Sequence, residues 1–532
     1  MPAIAFTADI WKSGARKYYI SLSVHVFDDE FEVIPFVLSL RQLTGRHLAI
    51  NVEAFIKYEL NEKFQMMPNQ RAGITTDCGS EMFAATAHGL FGPRHSCIAH
   101  VWNNVVKNDQ VQSATSTIMV VKKRRIQPIY DEFLSEDNEP VIIQPETRSI
   151  TLVGLLERVF NLLDRCRQLI TDIRNIGVVQ TYALVEIGKK GRGFTIDMDV
   201  RWNTTYQMID RLLEHQNLVD VIVRRKFDGL TVCQTNRLKL VALNPDDWDV
   251  LRALHQVLTG FDVATTIVSA SHYPTFFDSF WAITKLRQIL ISNADQSRYV
   301  EFLKTTVLDY LDMYIEKHLS KGQQEGMLIA AFLDPETHND MSQDDFSKAM
   351  EIVKQKLEQM STTTSSSSST TTTTTTTTFS SLSLPTSQMT FSKKDAAKQR
   401  MNHLAGIGMN LSNDRSITAA VEISLFTNAI KTNQSFKEFW STHNQSFPRL
   451  VTLVRRYSIV PATSVASESA FSVCGFIARK QRSSLSSRTL RQLLVLKYRK
   501  NLLKFKRQDQ PSLLQDRLTQ SLSFGITGST AV

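Results

Sequence analysis

The sequence predicts an α/β protein in which a small sheet is interrupted by a long all-helical region. Three observations predict it: period-two apolar alternation near the start, period-3.6 stripes through the middle, and a serine/threonine tract before the last helices. The 532 residues are 42% hydrophobic and 21% charged, a globular composition on a chain too long for one ordinary core.

The sheet comes first. Ile4, Phe6 and Ala8 lead into Asp9, and Tyr19, Ser21, Ser23 and His25 then alternate with Ile20, Leu22, Val24 and Val26. Phe31 to Leu38 gives a third run, with Asp28 and Asp29 placed for a tight turn before it. This reads as a three-stranded antiparallel meander. A helix with Val52, Phe55, Ile56, Leu60 and Phe64 on one face follows, then a strand from Ala72 to Thr76 that ends at Asp77. Another helix starts near Ser80, and a fifth strand is expected around Cys97 and Ile98. That order of elements is the order of a ribonuclease-H-like core, in which the ends of the first and fourth strands are neighbours. Asp9 and Asp77 are therefore expected side by side.

Beyond Asn104 the pattern becomes helical. Asn244, Pro245, Asp246 and Asp247 form a helix start, with a cap residue, a first-turn proline and acids against the dipole. Phe302 to Ile315 and Phe346 to Leu357 make further apolar stripes. Ser361 to Ser383 is almost all serine and threonine, which bury too little apolar surface to offset their ordering entropy. Helices resume after Thr418, the last capped near Ser486 or Ser487 and lined by Leu490, Leu493, Leu494 and Leu496. The expected organisation is 1–107 for the first part of the core, 108–360 for a helical insertion and 361–395 for a disordered linker. Residues 396–506 would complete the core, and 507–532 would be a tail.

The net charge of +9 comes from 61 basic and 52 acidic residues, and it is concentrated. Arg479 to Arg507 carries eleven basic residues and no acid, a stretch suited to a phosphate backbone. Lys122 to Arg125 fits a nuclear address. Five scattered cysteines argue for a reducing compartment rather than a disulfide framework. No apolar run is long enough for a bilayer, so a nuclear protein without membrane contact is expected.

Five motifs then bear on family. They are Asp9-Ile10-Trp11-Lys12-Ser13; Thr75-Thr76-Asp77; Cys97-Ile98-Ala99-His100; Arg201-Trp202-Asn203-Thr204-Thr205-Tyr206; and Ser467-Glu468-Ser469-Ala470-Phe471-Ser472. Leu333-Asp334-Pro335 lies between the last two, and Gly475, Arg479, Lys480, Arg482 and Leu485 follow the fifth. In these motifs and in their order the chain resembles the hAT superfamily of transposases, from Asp9 to about Lys500.

The resemblance implies that Asp9, Asp77 and Glu468 are the catalytic carboxylates and bind two Mg2+ or Mn2+ ions. Two-metal phosphoryl transfer uses hard oxygen ligands to hold cations roughly 4 Å apart, which here would drive DNA cleavage, hairpin formation and strand transfer. It also implies that Trp202 stacks on a flipped base, with Arg201 near phosphates, although Trp202 reads equally well as a buried anchor. Arg479, Lys480 and Arg482 are expected on DNA, as is His100, with Trp11 and Cys97 supporting the acidic site. Cys97 and His100 have a zinc-compatible gap but no second pair nearby, so no structural zinc is expected. Self-association, as a homodimer or larger, is implied for the C-terminal region.

Departures from the family pattern bear on activity. Glu81 adds an acid near Asp77, and Ser469 stands where an arginine is common. Only eight residues precede Asp9, none of them Cys or His, so no BED-type zinc finger is expected there and a finger-bearing partner protein is implied. The alternative to an active transposase is a transposase-derived protein that binds DNA and dimerises without catalysis.

Overall fold

The computed structural model describes residues 3–13, 16–43, 49–107, 152–188, 191–198, 202–292, 297–365, 418–430, 434–478 and 485–506. Among them lies a five-stranded mixed sheet, β1 (Ile4–Lys12), β2 (Tyr18–Phe27), β3 (Val33–Leu43), β4 (Arg71–Thr76) and β5 (Arg94–Ser96), in the order β3-β2-β1-β4-β5. The meander pairs antiparallel, whereas β4 runs parallel to both β1 and β5. α1 (Ala49–Lys57) and α2 (Ser80–Thr86) supply the connections.

Alternation in the strands gives the sheet two different faces. Phe6, Ala8, Leu22, Val24 and Phe36 pack against Val52, Phe55 and Ile56 of α1 and Met82 and Ala85 of α2. On the other face Tyr19, Val37 and Leu40 meet Ala470, Phe471 and Cys474, together with Leu490 and Leu494. Those residues belong to the last two described helices. Thus residues more than 400 positions after β1 close its second face.

The strand limits differ from the sequence reading in three places. β1 does not stop at Asp9, since its ladder with β2 continues from Asp9↔Ser21 to Lys12↔Tyr18 while β4 leaves it at Ala8↔Thr76. β3 starts at Val33 because Phe31 takes a left-handed φ of 61° inside the preceding turn. β5 ends at Ser96, before Cys97. The Cys97 N–H still bonds the Thr76 carbonyl at 2.8 Å, but the Ile98 N–H bonds the Ala462 carbonyl at 3.0 Å, so the chain turns away from β4 and enters α3 (Ile98–Lys107). Gly73 permits the close approach of β5, because a Cβ there would lie 2.6 Å from the His95 ring.

The helical region begins at α3 (Ile98–Lys107) and runs through α4 (Leu152–Asn175), α5 (Gly177–Ile187), α6 (Trp202–Glu214), α7 (Gln216–Arg224) and α8 (Val232–Leu240). It continues with α9 (Pro245–Val268), α10 (Phe276–Ile291), α11 (Arg298–His318), α12 (Lys321–Leu333), α13 (Pro335–Asp340) and α14 (Gln343–Ser365). The expected start at Asn244 is present as a capping box, its side chain accepting from the Asp247 N–H at 2.8 Å. α14 carries five residues into the stretch read as a linker, and 366–395 lies outside the described residues.

α15 (Ala419–Ala429), α16 (Phe436–His443) and α17 (Pro448–Tyr457) join the same apolar core as the earlier helices. Trp440 bonds the Leu333 carbonyl at 3.0 Å and lies against Phe426. α18 (Val465–Ile477) and α19 (Ser487–Lys506) then return to the sheet. No helix among the described residues is long and apolar enough to cross a membrane.

Candidate active site

Asp9 lies on the sheet face that α18 covers, because two-residue alternation puts it with Thr7 and Trp11 rather than with Phe6 and Ala8. β4 ends beside Ala8, so Asp77 leaves the sheet next to Asp9. The Asp77 carboxylate accepts from the Gly79 N–H at 3.2 Å, which fixes the turn into α2.

Glu468 arrives on α18, which packs across β1 and β2. Its position is set by neighbours on both sides. Ser467 donates to the Thr7 hydroxyl at 3.1 Å, and Phe471 stacks on Trp11 with centroids 5.7 Å apart and planes at 18°. Both Ser467 and Thr7 are fully buried, so this is an interior hydrogen bond with little competition from water.

The electrostatics link Asp9 to both other acids. Burial, followed by the Asp77 charge, pushes the Asp9 carboxyl up to about 7; Glu468 adds to the rise, while His100 opposes it. His100 is itself pushed up to about 10, since burial is outweighed by Cys97 and then by Glu468 and Asp77. Cys97 would be raised by burial alone, but His100 and the Ser464 N–H, 3.3 Å from its sulfur, hold the thiol below its ordinary value. The site is thus an acidic cluster with one imidazole as a partial counter-charge. Among the described residues, no group of three or more His, Cys, Asp or Glu side chains is arranged to hold a metal ion. Asp9 feels both other acids through space, and among the described residues the three do not form a common ligand shell.

Other expected site residues lie elsewhere or outside the description. Trp202 heads α6 and is 3% exposed. Its ring meets Phe261 edge-on at 6.2 Å, and its backbone N–H donates to Asn103 at 3.1 Å, three residues after His100. A cavity of about 190 Å³ lined by Trp202, Lys107, Arg167, Thr205 and Tyr310 adjoins it. Arg201, Arg479, Lys480 and Arg482, as well as Lys122 to Arg125, fall outside the described residues. Glu81 is exposed in the first turn of α2. Leu333-Asp334-Pro335 is a helix start: Asp334 caps α13 by accepting from the Thr337 N–H at 2.7 Å, with Pro335 next.

Residues to which the sequence alone assigns no role also shape the site. Thr7 and Ser467 have a signal, since each lies within two residues of a motif acid. Arg94 has none, because a short polar strand edge carries no period to mark it.

Two family models match the chain. The hAT family C-terminal dimerisation region covers residues 425–499, which takes in Glu468 and Leu490, Leu493, Leu494 and Leu496 of α19. The ZBED1 RNase-like helical domain covers residues 95–257, which takes in Cys97, His100 and Trp202. No curated protein matches the chain. The resemblance to hAT transposases drawn from the motifs is borne out by these two matches, which are consistent with an hAT-family transposase-like protein and mark a dimerisation region at its C-terminal end.

Proposed function

We propose that this protein is the core of a DNA transposase on a ribonuclease-H-like fold, with Asp9, Asp77 and Glu468 as its catalytic carboxylates. The observation that carries the reading is that Asp9 on β1 is raised first by burial and then by Asp77 at the end of β4, with Glu468 of α18 adding to the rise. Carboxylate oxygens are the hard donors that Mg2+ or Mn2+ takes. Asp9 is raised first by burial and then by Asp77 and Glu468, so the chemistry of the donors suits a dication, although among the described residues they are not arranged as a ready ligand set. When bound, such ions would activate an attacking oxygen and stabilise a leaving one on a DNA phosphodiester.

The chain's own residues have definable tasks in this reading. Asp77 is presented by the Gly79 turn, and Glu468 by the Ser467–Thr7 bond and the Phe471–Trp11 stack. His100 supplies positive charge beside the acids, where it moderates their repulsion before an ion or a phosphate arrives. DNA contact by Arg201, Arg479, Lys480 and Arg482, a nuclear location and a homodimer belong to the same proposal. The dimerisation region supports self-association directly.

A second reading is a transposase-derived protein that binds DNA and dimerises without cleaving. It is favoured by the acids standing apart among the described residues. Magnesium-dependent nicking of supercoiled plasmid by purified protein separates the two. Wild type is expected to nick and Asp77→Ala to lose nicking while keeping its unfolding transition; equal cleavage by both would remove Asp77 from the mechanism.

A further inference from the structure

Asp77 is held from behind as well as from the Gly79 turn. The Arg94 guanidinium on β5 donates through Nη2 to the Asp77 carbonyl at 2.8 Å and through Nη1 to the Ser96 hydroxyl at 2.9 Å. The Phe83 ring of α2 covers its face, 4.6 Å from the guanidinium carbon. A planar fork of donors is suited to bridging two acceptors at fixed angles in this way.

Ser96 passes the connection on to the helical region. Its hydroxyl donates to the His318 carbonyl at 2.7 Å, at the end of α11. Its backbone N–H and carbonyl are both taken by the Gln323 side-chain amide of α12, at 2.8 and 2.9 Å. Gln323 is 1% exposed, so these bonds are interior. A continuous path of hydrogen bonds therefore runs from α11 and α12 through Ser96 and Arg94 to the backbone of Asp77.

We propose that Arg94 is a positioning residue, a clamp that makes the docking of α11 and α12 on β5 set the place of the Asp77 carboxylate. This rests on the reading of Asp77 as a metal ligand. The clamp acts on the Asp77 main chain and takes neither carboxylate oxygen, of which Oδ1 accepts from the Gly79 N–H. Arg94→Lys keeps the charge but loses the two-pronged donor, so it should behave like Arg94→Ala rather than like wild type. Gln323→Ala breaks the same path one step further away.

Two measurements on the full chain test the clamp. In hydrogen exchange, Arg94→Ala, Arg94→Lys and Gln323→Ala should speed exchange in peptides covering 77–81 and leave those covering β1 and β2 unchanged. Unaltered exchange at 77–81 overturns the clamp, and uniform acceleration everywhere reduces Arg94 to a general stability role and overturns it equally. In a Mn2+ titration read by the resonance of the free ion, the Arg94 variants should bind about 10- to 100-fold more weakly than wild type. Wild-type affinity in the Arg94 variants, with binding lost in Asp77→Asn, overturns the proposal while sparing the metal site. Equal binding by wild type and Asp77→Asn would instead remove the metal-site reading, and the exchange result alone would then decide whether Arg94 orders this turn.

Discussion

Asp9 shows how the fold uses a destabilised side chain. Its carboxyl, normally near 3.8, is pushed up to about 7 by burial, then by Asp77, with Glu468 adding and His100 opposing. Between those two values the folded protein holds a proton that the unfolded chain has released, so stability falls as pH rises through this window and levels off above it. In metal-free protein, Asp9→Asn should match wild type near pH 4 and be more stable at pH 8, on the order of 2–4 kcal/mol. Denaturant unfolding at the two pH values measures this, and a variant no more stable at pH 8 contradicts it. Trp202 makes the opposite kind of contribution. Being 3% exposed against Phe261, it should cost about 3–5 kcal/mol when replaced by alanine. A urea midpoint unmoved by Trp202→Ala would mean that the ring is not part of the core.

At the scale of elements, the final helix divides its leucines between two jobs. Leu490 and Leu494, one helical turn apart, are buried against β3 and α18. Leu493 and Leu496 are 36% and 50% exposed, and Phe476 on α18 is 64% exposed. Since the dimerisation region spans all of these residues, self-association should depend on the exposed set. Phe476→Glu with Leu496→Glu is expected to lower the mass seen by sedimentation while changing stability by only about 0.5 kcal/mol per site. A mass unchanged from wild type would place the contact elsewhere.

The stripe was legible in the sequence because 3.6-residue spacing survives any tertiary context, but which leucines face inward was not. That depends on where β3 meets the helix. The meander was legible for the same reason, whereas the end of β1 was not: Asp9 lies inside a hairpin that outruns its parallel neighbour. The two aspartates were legible as neighbours through element order alone. Arg94 was not, because its contacts are a carbonyl just past the end of β4 and a hydroxyl on its own strand, neither of which leaves a sequence period.

At the scale of the molecule, the chain leaves the sheet after β5 and builds a helical core that also takes in α15, α16 and α17. It then returns with α18 and α19 to cover the sheet face that bears Asp9. Glu468 reaches the site only because that return is correct, so the acidic cluster reports on the whole fold. The path through Arg94, Ser96 and Gln323 gives the helical region a second hold on the same place. The most direct measurement is plasmid nicking by wild type and Glu468→Gln with Mg2+, with Mn2+ and with a chelator. The account predicts nicking by wild type only when a dication is present, and none by Glu468→Gln under any condition. Metal-dependent nicking that survives in Glu468→Gln would contradict it.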